Sequence, residues 1–248
     1  TFDPPHLGHF ILAEQIKNRF ELSKIIFMPS GKPPHKKDDD ISPAEDRVEM
    51  IRLAVTNNKY FSLSDWEINE EGYSYTAKTL SQFVPQLDAE EVFFIIGADS
   101  LADIFKWKDP EFLLSEGKFI VFNRPGYDFE NILKQKEYKP YLNNILTYQG
   151  LNIEISSSLI REEVANDNSI RYLTLDEIGH YILENDLYRW LNVNKQKRAW
   201  YRENKNIIRQ SFFDDQLLLT CSTNHQWAKH STIAPEKLKN KKLIIREE

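Results

Sequence analysis

Cysteine, glycine and long apolar runs are scarce in this sequence. The 248 residues include eight glycines and one cysteine, Cys221, which cannot form an internal disulfide. A reducing cytoplasm is therefore the expected location. No apolar run approaches the roughly 20 residues of a membrane helix, and no secretory signal is present, so we expect neither membrane attachment nor export. The chain begins at Thr1 rather than at methionine, and we expect that its start has been lost.

Basic residues are in the minority over most of the chain. Residues 1–192 hold 20 Lys and Arg against 32 Asp and Glu, a net charge of −12. Such an acidic domain is not typical of nucleic-acid-binding proteins, so we expect no nucleic-acid partner. Any polyphosphate must be held by a few placed cations, by backbone amides and by a metal ion. Histidine and cysteine show no ligand spacing of a structural metal site, and no protein-held metal is predicted.

Continuous apolar runs alternate with amphipathic segments along the first 190 residues. The runs are typical of strands buried on both faces, and the alternation predicts an α/β fold with a doubly wound parallel sheet. Ligands of such sheets bind beyond the carboxyl ends of the strands. A capping box with proline at the first helical position is predicted at Ser42-Pro43-Ala44-Glu45. The predicted strands are 24–28, 60–68, 91–96, 118–122 and 145–148, and the other predicted helices are 7–20, 77–87, 157–165 and 174–184.

Two histidines lie three residues apart at the start of the first predicted helix. In the string TFDPPHLGH, His6 and His9 project from one turn, and Gly8 between them leaves the backbone open to a phosphate. The amides and dipole of a helix N-terminus favour an anion, and imidazole N–H groups can stabilise charge on a transferring phosphoryl group. The alternative is a surface histidine pair beside a turn.

The longer string resembles the nucleotidylyltransferase signature, in particular that of bacterial nicotinate-mononucleotide adenylyltransferases. Four further segments follow in that family's order: PPHK at 33–36, SYT at 74–76, IGAD…W…RPG across 96–126, and ISSSLIR at 155–161. Ser158 stands where the family usually has threonine. The resemblance covers residues 1–192 and implies a Rossmann-like fold whose short first strand and glycine pair are missing here.

The resemblance implies transfer of AMP from ATP to nicotinate mononucleotide, giving deamido-NAD and pyrophosphate, with Mg²⁺ carried by ATP. No protein nucleophile is needed, and the implied catalytic residues are His6, His9 and Arg161. The implied ATP-binding residues are Thr1, Phe2, His6, Gly8, His9, Lys36, Gly97, Asp99, Ile155, Ser156, Ser157, Ser158 and Arg161. The implied nicotinate-nucleotide-binding residues are Ser74, Tyr75, Thr76, Trp107 and Arg124.

Several of these residues also have a plainer interpretation. The serines before the 157–165 helix could cradle phosphates or merely cap the helix, and Asp99 could bind ribose hydroxyls or cap a helix. Trp107 could stack on the pyridine ring or pack in the core. Lys36 could cover the triphosphate or remain a solvated lysine, and Thr76 could contact the nicotinate nucleotide or cap its helix.

The last residues do not resemble the enzyme family. Residues 193–211 are predicted to be a basic linker, and 212–248 resemble a fragment of the effector-binding domain of LysR-type regulators, too short to fold alone. A ligand-sensing transcription regulator is therefore one alternative function. A related nucleotidylyltransferase acting on phosphopantetheine, glycerol phosphate or a nicotinamide nucleotide is another.

Overall fold

Strands and helices alternate in a parallel α/β architecture. The computed structural model describes residues 1–34 and 41–189, all of which belong to one compact unit. Lys36, the predicted basic linker and the regulator-like segment lie outside the described residues, so the predictions made for them remain predictions.

Five parallel strands form two sheets in the described residues. Strands β1 (Ile25–Phe27) and β2 (Phe61–Leu63) pair with each other. Strand β4 (Lys118–Phe122) pairs with β3 (Phe93–Gly97) on one side and β5 (Ile145–Tyr148) on the other. These parallel pairings confirm the prediction of a parallel α/β fold. Parallel strands are hydrophobic because crossover helices cover both faces of their sheets.

Nine α-helices flank the sheets in residues 1–34 and 41–189. They are α1 (Leu7–Arg19), α2 (Ala44–Val55), α3 (Trp66–Asn69), α4 (Thr76–Lys78), α5 (Ala98–Ala102), α6 (Pro110–Glu116), α7 (Phe129–Leu133), α8 (Ser157–Ala165) and α9 (Asp176–Glu184). Short 3₁₀ helices occupy Ile104–Lys106 and Lys136–Asn144. No helix in this part of the chain has the length and apolar character that a membrane crossing requires.

Two predicted elements are wrong in extent. The strand predicted at 60–68 ends at Leu63, because Ser64 and Asp65 accept hydrogen bonds that open α3. The helix predicted at 77–87 is instead α4, a π-helical turn at Thr79–Phe83 and a 3₁₀ turn at Val84–Gln86. Pro85 lacks an N–H and cannot continue an α-helical ladder, which accounts for the tighter last turn.

The predicted capping box at Ser42 is also wrong. The cap position of α2 is Pro43, which makes no side-chain cap bond. Ser42 is buried one residue earlier, and its N–H donates to Asp3 Oδ2 at 3.4 Å. The backbone of Ser42 therefore contacts the first segment of the chain instead of its side chain capping α2.

The core has two clusters, one for each sheet. Residues of α1, α2, α8 and α9 pack around β1 and β2, and residues of α5, α6 and α7 pack around β3 to β5. Since α1 and α8 share the first cluster, their N-termini are held in one region. That arrangement places the paired histidines and the serine-rich segment together.

Candidate active site

The predicted site residues gather where strands end and helices begin. Gly97 closes β3 and is the N-cap of α5, while Arg124 follows β4 by two residues. Ser30 and Gly31 follow β1, and His6 is the N-cap of α1. This is the edge of a parallel sheet at which ligands bind.

The two histidines form a stacked pair at the start of α1. Their ring centroids are 3.6 Å apart, with an angle of 29° between the ring planes. The His6 backbone N–H donates to Nδ1 of His9 at 3.1 Å. Because Nδ1 is the acceptor, a neutral His9 carries its proton on Nε2, which makes Nε2–H a fixed donor.

Burial keeps both imidazoles neutral near pH 7. Desolvation, with a contribution from Arg124, lowers the pKa of His6 to about 4. Desolvation, followed by the charges of His6 and Arg124, lowers the pKa of His9 well below 6.5. Because the unfolded chain takes up these protons first, the stability contributed by the neutral pair is lost as pH falls from about 6.5 through the lowered pKa values.

Gly8 provides the space that the His6 ring occupies. A Cβ at this position would lie 3.0 Å from His6 Nδ1 and 3.1 Å from its Cε1. Gly8→Ala should therefore displace the His6 ring and, since His6 is predicted to be catalytic, lower kcat by about tenfold or more. Gly179→Ala is the control. This glycine lies within α9, and the nearest heavy atom to its added Cβ would be 3.9 Å away. Steady-state kinetics and thermal melting of both variants test this, and an unaltered kcat in Gly8→Ala would contradict it.

Three consecutive carbonyls before α1 are each bound by a side chain from the last third of the domain. The accepting residues are Asp3, Pro4 and Pro5. The donors are Arg161 Nη1 to Asp3 O at 2.6 Å, Ser157 Oγ to Pro4 O at 2.8 Å, and Thr174 Oγ1 to Pro5 O at 2.7 Å. The histidine segment is therefore fixed by residues that the sequence separates from it by more than 150 positions.

The N-terminus of α8 combines capping with features of a phosphate site. Ser156 Oγ accepts from the N–H of Leu159 at 3.1 Å, so the capping interpretation holds for this serine. Ser158 Oγ accepts from Arg161 Nη2 at 3.2 Å. The amides of Ser157 and Ser158 occupy the first turn, where intrahelical bonding supplies no partner and an anion is favoured. Ile155 packs against the first core cluster, so its predicted contact with ATP can involve only its backbone or its exposed edge.

Asp99 and Arg124 face each other beside the histidines. Asp99 Oδ1 lies 3.9 Å from Arg124 Nε and is buried without a hydrogen-bond partner in the described structure. A Cβ on Gly97 would lie 2.2 Å from that oxygen, so a larger residue at this position would displace the Asp99 carboxylate. A buried carboxylate oxygen without a donor suits a hydroxyl group of a bound ribose.

The SYT segment is joined to the loop that follows β1. Ser74 Oγ accepts from the N–H groups of Gly31 and Lys32 at 2.9 and 3.2 Å, and its N–H donates to Lys32 O at 2.9 Å. Tyr75, rather than Thr76, occupies the cap position of α4. The SYT segment and the loop after β1 are therefore held together as one surface of the candidate site, which we call the SYT wall.

Trp107 is partly buried and packs against the second core cluster. We predict that Trp107→Ala raises KM for the nicotinate nucleotide more than KM for ATP, because an aromatic stack is worth on the order of 1 kcal/mol. Trp107→Phe should retain part of that contact. Steady-state kinetics and thermal melting separate stacking from packing: a lower Tm with both KM values unchanged would assign Trp107 to the core alone.

Three buried polar residues near the site were missed from sequence. They are Asp3, Arg47 and Tyr188, which are 1%, 2% and 0% exposed. Arg47 could have been noticed in the sequence, because it lies among the apolar residues of α2 that are buried. Nothing local distinguished Tyr188, because its partner is 185 positions away.

The parallel α/β fold, with neutral histidine donors at a helix start and arginines close by, defines a nucleotide-binding phosphoryl-transfer class. Residues 1–163 match the family model described as cytidylyltransferase-like. Among described residues, no group of three or more His, Cys, Asp or Glu is arranged to hold a metal ion.

Similarity to named relatives identifies the family within this class, and a solved structure shares its fold. A protein of Clostridium acetobutylicum named "Probable nicotinate-nucleotide adenylyltransferase" is 42% identical over 190 residues, covering 76% of this chain and 95% of its own length. One of the same name from Desulfitobacterium hafniense is 39% identical over 191 residues, covering 76% and 92%. The Plasmodium falciparum nicotinic acid mononucleotide adenylyltransferase complexed with NaAD shares the fold, with a TM-score of 0.60 and 22% identity over 76% of this chain and 93% of that one. This chain belongs to the nicotinate-nucleotide adenylyltransferase family.

Proposed function

We propose that this protein transfers AMP from ATP to nicotinate mononucleotide, giving deamido-NAD and pyrophosphate in NAD biosynthesis. The observation that carries the proposal is the His6–His9 pair, in which the bond to Nδ1 leaves Nε2–H of His9 as a fixed donor at the start of α1. Two relatives of this name are 42% and 39% identical to this chain, and the match extends over 95% and 92% of their own length.

The reaction is an in-line displacement. An oxygen of the 5′-phosphate of nicotinate mononucleotide attacks the α-phosphorus of ATP, and the bond from that phosphorus to the bridging oxygen of pyrophosphate breaks. Neutral His6 and His9 donate hydrogen bonds to the charge that accumulates on the phosphoryl oxygens. Arg161 and the amides at the start of α8 bind the leaving pyrophosphate. Mg²⁺ arrives with ATP as part of that substrate and neutralises its phosphates.

The acceptor nucleotide lies on the side of the SYT wall. Ser74 joins that wall to the loop after β1, so Tyr75 and Thr76 present backbone groups at a fixed position. Arg124 and Trp107 are assigned to the nicotinate nucleotide from the family motif that contains them. Asp99, with its unpartnered buried oxygen, is assigned to a ribose hydroxyl of the adenylyl side.

Pyrophosphate release from ATP tests the function. We expect release with nicotinate mononucleotide and at least tenfold lower kcat/KM with nicotinamide mononucleotide. Phosphopantetheine with ATP and glycerol phosphate with CTP test the related transferases, and omission of Mg²⁺ should abolish turnover. Preferential turnover of any of these other acceptors would reject the assigned substrate.

The finer assignments of location and partners follow from composition. We place the enzyme in the cytoplasm because its single cysteine suits a reducing compartment. The acidic domain of residues 1–192 argues against a nucleic-acid partner. Cell fractionation and a DNA-binding assay at low salt test these two assignments.

A further inference from the structure

The largest fully buried side chain of the described residues is an arginine that no substrate contact explains. Arg47 is 2% exposed, on α2. Nη1 donates to Ser30 O at 2.6 Å and to Thr1 O at 3.4 Å, and Nη2 donates to Gly31 O at 3.3 Å. One guanidinium therefore bonds both to Thr1, at the start of the ATP-side segment, and to Ser30 and Gly31, in the loop that Ser74 joins to the SYT wall.

A buried carboxylate complements this charge. Asp3 is 1% exposed, and its negative charge counteracts the lowering of the Arg47 pKa by burial. Asp3 Oδ2 accepts from the N–H of Ser42, whose carbonyl in turn accepts from Arg47 Nε at 3.1 Å. The main-chain carbonyl of Asp3 is the one held by Arg161. Asp3 thus links Arg47 to the segment that carries the histidines.

A tyrosine beyond the last helix completes the set. Tyr188 is fully buried, and its hydroxyl donates to Asp3 Oδ1 at 2.9 Å. Burial, and next to it the charge of Asp3, raises the pKa of this phenol above its usual range, so the hydroxyl stays protonated and donates. Leaving an oxygen of a buried carboxylate without its donor is unfavourable, so loss of this hydroxyl should disturb Asp3 itself.

We propose that Arg47, Asp3 and Tyr188 act as one positioning unit, which fixes the ATP-side segment at Thr1–Asp3 relative to the acceptor-side loop at Ser30–Gly31. The inference rests on the proposed function, since it assigns the two sides of the unit to the two substrates. Transfer between two bound substrates is sensitive to displacements of about 1 Å. The unit therefore acts on turnover through the alignment of the two substrates and touches neither of them.

A single hydroxyl offers the sharpest test. Tyr188→Phe removes the bond to Asp3, together with the hydroxyl's weaker contact with Met50 Sδ at 4.0 Å and its bond with Ser42. It should lower kcat about tenfold, because alignment matters most in the transition state. Tyr138→Phe is the matched control: its hydroxyl is equally buried and donates to Leu101 O at 2.7 Å in the second core cluster. Both variants should melt at lower temperature than the wild type, but Tyr138→Phe should keep kcat within twofold.

A double-mutant cycle shows whether Tyr188 acts through Asp3. Asp3→Asn keeps the size of the side chain and removes its charge, and it should itself lower kcat. In that background, Tyr188→Phe should cause little further loss, because the bond it removes is already altered. The kcat values are normalised to the folded fraction measured by circular dichroism at the assay temperature. If Tyr188→Phe does not fold, Arg47→Lys replaces it, since lysine keeps the charge but cannot span carbonyls of both loops.

Three outcomes would overturn the positioning unit while leaving the proposed function intact. They are a Tyr188→Phe kcat within twofold of wild type, an equal loss in Tyr138→Phe, and full additivity with Asp3→Asn. Failure of the proposed function is distinguishable, because the wild-type protein itself would then release no pyrophosphate with nicotinate mononucleotide.

Discussion

Replacement of His9 by alanine should lower kcat by about 10²- to 10³-fold while KM for ATP changes only a few-fold. That range is typical for loss of one preorganised donor to a developing oxyanion. The Nδ1 atom of His9 accepts a bond from the His6 N–H, so Nε2–H is the donor that the proposed reaction would lose. An interaction made mainly in the transition state affects kcat more than ground-state binding.

Two further variants make the His9 experiment specific. His9→Gln should recover part of the lost rate, because its amide can donate near the former Nε2 position. His180→Ala is the control, since His180 is exposed on α9. If His9→Ala kept kcat within twofold of wild type, His9 would be removed from the catalytic residues.

Arg161→Ala should lower kcat/KM for ATP by at least about 10²-fold, through both kcat and KM. Its guanidinium holds the carbonyl of Asp3 and the hydroxyl of Ser158, and its charge faces the start of α8. Charge-assisted bonds to phosphate are among the stronger interactions available to a binding site. Loss of Arg161 should therefore remove the charge proposed for the leaving pyrophosphate and also the bond that holds the carbonyl of Asp3.

Arg161→Lys separates these two contributions. Lysine retains the charge but not the forked geometry, so it should restore ATP binding more than turnover. Arg171→Ala is the control, because Arg171 is exposed at the surface of the same domain. Pyrophosphate release at varied ATP concentration measures both parameters, and an Arg161→Ala enzyme with wild-type kcat/KM would refute the assignment.

The sequence predicted correctly those strands and helices in which the hydrophobic pattern runs from one end of the element to the other. β4, β5 and α8 have the predicted bounds. Prediction failed where one residue overrides a pattern, as Pro85 does in the segment after α4. The helices α6 and α7 were missed because they are only seven and five residues long, too short for a clear amphipathic period.

The candidate site was predicted as a set of motifs, and the structure describes how most of them meet. The PPHK loop lies only partly within the described residues, and Lys36 is not among them. Ser157 was assigned to ATP from its motif, yet its hydroxyl also donates to Pro4 O. A hydroxyl near a helix start is visible in sequence, whereas its partner 153 positions away is not. That prediction for ATP stays a prediction, with a structural role added to it.

The sequence by itself determined the family, the parallel α/β class and the paired histidines at the start of α1. These depend on residue order over a few positions: contiguous motifs, apolar runs, and the spacing of His6 and His9 along one helix. Only the tertiary structure decided the tautomer of His9, the neutral state of the pair, and the buried bonds that join Arg47, Asp3 and Tyr188. Burial and hydrogen bonding between distant segments depend on which surfaces the fold brings together, and no local pattern carries that information.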